Sequence, residues 1–148
     1  QVVKYLPDGD TNLGISPTSS DPTKAGNDWI VLRYADVLLM HAEAILSGGQ
    51  STTSTNALAS FQEVRNRAGL TTLVTEITKE DLLNERRVEL AFENHRLFDL
   101  IRMGEAATVL GAFSSANSLS FSSTDLLLPI PQREIGLSNS LLTQNPGY

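Results

Sequence analysis

Apolar residues recur at helical spacing in three long stretches of the chain, separated by Ser/Thr-rich or Gly/Pro-rich segments. From Trp29 to Leu46, the residues Leu32, Ala35, Leu38, Leu39, Ala42, Ile45 and Leu46 follow a period of roughly 3.6 and make one broad apolar face. Asn27 or Asp28 stands where a side-chain oxygen can cap the free N–H groups, and Gly48-Gly49 ends the helix. Arg33, Asp36 and Glu43 fall on one polar stripe. A second helix is predicted over 56–68, with Ala57, Leu58, Phe61, Val64 and Ala68 apolar and Gly69 placed for a left-handed C-terminal cap. A third is predicted over 78–94. Thr78-Lys79-Glu80-Asp81 opens it as a capping box with Asp in the fourth place, and Leu82, Leu83, Val88, Leu90, Ala91 and Phe92 carry its core face. A further helix starts near residue 96, with Leu97, Phe98 and Ile101 inward, and closes at Gly104 or runs on to Leu110.

These elements predict an all-α fold of helix pairs with long ordered loops, in a single domain of three parts. Residues 1–28 are an extended entry segment, 29–110 a helical core, and 111–148 a loop and C-terminal strap. The loop expectation rests on six Ser between Gly111 and Thr124. The strap expectation rests on Pro129 and Pro131, which keep Asp125–Ile130 out of a helix. Ala57, Phe61 and Val64 imitate the second-helix pattern of a tetratricopeptide unit. A single helix pair cannot cover both of its apolar faces, and Trp29, Ile30, Val31 and Tyr34 add apolar area beyond the face that would meet the second helix.

Composition narrows the function classes. The chain has 148 residues, 41% of them hydrophobic, which is enough for one domain with a real core. No uninterrupted apolar run reaches the about 18 residues of a membrane helix. A net charge of −6, with three Lys against eight Arg, argues against a nucleic-acid partner. The absence of Cys removes disulfides, thiolate metal sites, cysteine nucleophiles and iron–sulfur clusters. No cofactor and no metal is expected.

Candidate chemistry is sparse. His41-Ala42-Glu43 has the His-x-Glu spacing of zinc deaminases, but that site also needs a Pro-Cys-x-x-Cys partner. His41 therefore reads as a helix-surface or half-buried residue. Glu85, Glu89 and Glu93 line one side of the third helix, and paired carboxylates can run glycosidic chemistry. Arg86, Arg87 and Arg96 turn that row into an ion-pair ladder instead, so no catalytic residue is assigned and the chain does not read as an enzyme. Phe61, Phe92 and Phe98 read as core. Trp29, at a helix start beside a polar loop, is open equally to packing and to ligand contact, and it is the only ligand-binding candidate.

Several segments resemble one family. Leu32–Ala44, Val64–Leu70, Asn84–Arg102 and Leu128–Ile135 with Asn145–Tyr148 are similar, in order, to signature segments of the SusD/RagB outer-membrane nutrient-binding lipoproteins. The chain departs where the family often has Gly (Asn94) and Trp (Leu97 and Met103). The resemblance implies tetratricopeptide-like helix pairs and a non-catalytic protein that captures oligosaccharide, or in some members peptide, for import through a SusC-like TonB-dependent transporter. It also implies an outward-facing position on the outer membrane, held by a lipid anchor that this chain lacks, and makes the chain look like the C-terminal portion of a longer protein. The main alternative is a helical-repeat scaffold for protein–protein interaction. It is disfavoured because a repeat array needs neither the Arg96–Arg102 nor the Leu128–Ile135 segment.

Overall fold

A computed structural model of the protein describes residues 30–139 and 141–148. The expectations placed on Asn27, Asp28, Trp29 and the entry segment lie outside the described residues. Tyr34–Tyr148 forms one compact unit, and every element below belongs to it.

Helix α1, Tyr34–Leu46, starts later than the apolar pattern implies, because β-branched Ile30 and Val31 precede it in non-helical backbone. It buries Ala35, Leu39, Ala42 and Leu46 in one core cluster with Ala57, Phe61 and Val64 of α2, Thr55–Arg67. Its other side leaves Tyr34, Val37 and Met40 exposed. Between and after these helices, two short strands, β1 (Ser51–Thr52) and β2 (Ile77–Thr78), pair antiparallel with Ser51 opposite Thr78. The pairing seats Ile77 and Leu82 in the same core.

Helix α2 ends as its glycine predicts. Gly69 has φ +83°, its N–H donates to the Asn66 carbonyl, and the Leu70 N–H donates to that of Arg65. Helix α3, Lys79–Glu89, opens on the expected capping box. The Thr78 hydroxyl accepts from the Asp81 N–H at 3.0 Å, and the Asp81 carboxylate accepts from the Thr78 N–H at 3.0 Å. Replacing Thr78 with Ala should therefore lower stability by about 1 kcal/mol, read as a shift of the urea midpoint with an unchanged slope.

Three further expectations need correction. Helix α3 stops at Glu89 and not at Asn94, and the chain turns through Phe92 (φ +66°) and Asn94 (φ +62°). The left-handed backbone at position 94 suits Asn, which tolerates this region better than most residues, and would suit Gly. Helix α4, Arg96–Arg102, turns Asp99 and Leu100 inward, leaving Leu97, Phe98 and Ile101 exposed. The ion pairs of Asp99, described below, fix that rotation. Finally, the segment from Gly111 is helical as far as Ala116. Helix α5 spans Ala106–Ala116, where Ala and Leu propensity outweighs Ser114 and Ser115.

The expected strap is also less extended than its prolines imply: a 3₁₀ turn, Ser123–Leu126, takes in its first two residues, and helix α6, Gln132–Leu137, follows directly on Pro131, which fits the N-terminal edge of a helix. The strap is held by side chains acting as a strand would. The Gln144 amide donates to the Ile130 carbonyl and accepts from its N–H, and the Asn145 amide donates to the Leu128 carbonyl.

Candidate functional site

A chain of five charges ties α1, α3 and α4 together. Arg86 donates through Nη1 to Asp36 Oδ1 (2.8 Å) and through Nε to Asp99 Oδ2 (2.9 Å). Arg102 donates to the other oxygen of Asp99 (2.8 Å) and grips Glu43 with two bonds of 2.6 and 2.9 Å. Asp36, Arg86 and Asp99 are all buried, whereas Arg102 stays partly in solvent. The hydrogen bonds to Glu43 raise the Arg102 pKa above its usual value against the opposing effect of burial, and Asp99 adds to the rise.

Asp36 was expected on a polar stripe and is instead interior. Its burial follows from Arg86, since a buried carboxylate needs a partner of opposite charge. The signal in the sequence was a single acid beside Ala35, Leu39 and Ala42, positions that α1 turns inward.

The row of glutamates is paired, but with a different helix. Glu85 accepts from Arg65 at 2.9 Å and Glu89 from Arg67 at 2.5 Å, so the ladder joins α2 to α3. Glu93 lies beyond the end of α3 and is buried. The Arg65 guanidinium also lies 5.8 Å from the Phe61 ring centre. His41 and Glu43 point in different directions: the His41 ring bonds the Ser60 hydroxyl of α2 at 2.8 Å, and Glu43 meets Arg102. Of the three expected core phenylalanines, Phe61 is interior, while Phe92 and Phe98 are 64% and 66% exposed.

Above the charge network lies a cleft of about 790 Å³. Asp36, Glu43, Lys79, Arg86, His95 and Arg102 line it with polar groups, and Met40 and Met103 with apolar ones. One oxygen of Asp36 and both oxygens of Glu43 accept from guanidinium groups. What such walls provide is hydrogen-bonding capacity beside apolar surface. Lys79 is in turn held at 2.5 Å by Glu105.

Residues 5–148 match the model of the SusD family. The chain is 31% identical over 139 residues to SusD-like protein P2 of Formosa agariphila, covering 84% of this chain and 27% of the relative. It is 32% identical to the starch-binding protein SusD of Bacteroides thetaiotaomicron, covering 87% of this chain and 23% of the relative. Among solved structures it resembles a laminarin-binding SusD-like protein, with 38% identity and a TM-score of 0.63 over 80% of this chain and 23% of that one. It also resembles surface glycan-binding protein A from Bacteroides thetaiotaomicron, with 36% identity and a TM-score of 0.68 over 86% and 27%. The chain therefore spans about a quarter of the length of the relatives it matches.

Proposed function

The chain belongs to the SusD family, whose members are carbohydrate-binding and non-catalytic, and from that premise we propose that it is part of an outer-membrane nutrient-capture protein. In this reading the whole protein is lipid-anchored and faces outward. It holds oligosaccharide and passes it to a SusC-like TonB-dependent transporter. The observation that carries the reading is the family match across residues 5–148, joined to a shared fold with two glycan-binding proteins at 36–38% identity. The exposed Tyr34, Val37 and Met40 give α1 a second apolar side against which the rest of a longer protein would pack.

Calorimetry and co-purification test this together. The full-length protein should bind a neutral glucan oligosaccharide saturably and bring down a large β-barrel transporter from solubilised outer membranes. The 148-residue chain alone should bind the same glucan roughly tenfold or more weakly, because the main sugar platform belongs to the remaining three-quarters of the protein. Tight glucan binding by the short chain would place the platform here, with Trp29 the first residue to replace. Hydrolysis of the glucan would overturn the reading.

A further inference from the structure

Beyond Glu89 the chain leaves α3 and makes a tight turn into α4, and a shallow hollow of about 180 Å³ opens at that turn. Arg86, Arg87 and Arg96, with His95, Phe92 and Asn94, contribute to its wall, and no carboxylate among the described residues lines it. Arg86 already serves Asp36 and Asp99. Arg96 gives one N–H to the Leu83 carbonyl at 3.1 Å, and exposed Arg87 makes no hydrogen bond or ion pair with any described residue. Burial, and after it the like charge of Arg87, lowers the Arg96 pKa, while the Asp99 carboxylate acts in the opposite direction. In a chain of net charge −6, the two arginines line one hollow, and among the described residues its wall holds no acid; the nearest acidic influence on Arg96 is Asp99, which is itself bonded to Arg86 and Arg102.

Phe92 adds an independent observation. It is 64% exposed and sits at φ +66°, a conformation that bulky L residues rarely adopt. Strain of this kind persists where the surrounding structure enforces it, and it concentrates at ligand clamps. Here it presents an aromatic ring at the hollow that holds the arginine pair.

Planar guanidinium forks match carboxylate and sulfate oxygens two at a time, and an aromatic face covers the C–H face of a sugar ring. We infer that this hollow seats a negatively charged sugar residue, with its carboxylate or sulfate between Arg87 and Arg96 and its ring against Phe92. The inference rests on the glycan-capture reading above and extends it to acidic glycans.

Calorimetry of the 148-residue chain is the test, with three probes: an oligouronate, the same oligosaccharide after carboxyl reduction, and a sulfated form of the reduced one. The oligouronate should bind about tenfold or more tightly than its reduced form, with affinity falling as salt is added. The sulfated probe separates a general anion site from a carboxylate site. Arg87→Gln should weaken oligouronate binding about tenfold at an unchanged melting temperature. Phe92→Gly should weaken it while raising the melting temperature, because glycine relieves the left-handed strain. Equal affinity for the charged and reduced probes would overturn the inference and leave glycan capture standing. Failure of every probe here, with neutral glucan still bound by the full-length protein, would do the same. A Glu-rich peptide that binds Arg87 where the oligouronate does not would make the hollow a protein-docking surface and overturn it as well. Loss of glucan binding by the full-length protein would instead sink the capture reading itself.

Discussion

Replacing Arg86 with Ala should lower the stability of the chain by about 3–5 kcal/mol, the range for stripping the partner from a buried ion pair. Arg86 is 2% exposed, and its loss leaves Asp36 without its bond and Asp99 with only Arg102. Asp36 would then be a carboxylate 3% exposed that has lost its 2.8 Å guanidinium partner, and it would be driven to take up a proton or draw in water. Arg102→Ala should cost far less, about 1 kcal/mol, because that side chain is 46% exposed and its pairs are partly screened. Guanidinium denaturation of the two variants should show this order. A triple variant placing apolar residues of matched volume at 36, 86 and 99 should recover most of the loss, since the network fixes arrangement more than it adds stability. If Arg86→Ala unfolded with the wild-type chain, the three helices would have to be held by packing alone.

What the sequence disclosed, and what it hid, follows from the reach of each signal. The capping box at Thr78 and the Gly69 cap span four or five residues, so local pattern reveals them fully. The positions of α1, α2 and α3 were legible because their apolar faces repeat over three turns or more. Helix α4 has seven residues, too few for a period to select a face, and Asp99 determines the face through partners on other helices. Those partners are far away in the chain: Asp36 lies 50 positions before Arg86, and Glu43 lies 59 before Arg102. Spacing rules that reach one or two turns cannot join such pairs. The family signature joined them indirectly, because Leu32–Ala44 and Asn84–Arg102, two of its segments, contain every member of the network. The hollow at the α3–α4 turn was hidden for another reason. It exists only because α3 stops at Glu89, and the apolar run Leu90, Ala91, Phe92 gives no sign of a stop.

The three phenylalanines that the sequence pattern assigns to the core should separate sharply on substitution. Phe61 is 2% exposed and belongs to the cluster of Leu39, Ala42, Ala57 and Val64, so Phe61→Ala opens a void that helices α1 and α2 cannot close without moving. The expected loss is about 3–5 kcal/mol, to which the lost contact with the Arg65 guanidinium contributes. Phe98→Ala, on the solvent side of α4, should fall within about 0.5 kcal/mol of the parent chain. Phe92→Gly should stabilise by roughly 1 kcal/mol, because it removes a side chain from the left-handed region and little burial goes with it. Thermal melts of the three variants give the order directly. A loss at Phe98 as large as that at Phe61 would mean that α4 is rotated by about a third of a turn. Asp99 could not then reach both arginines, so the same experiment also checks the ion network from its opposite face.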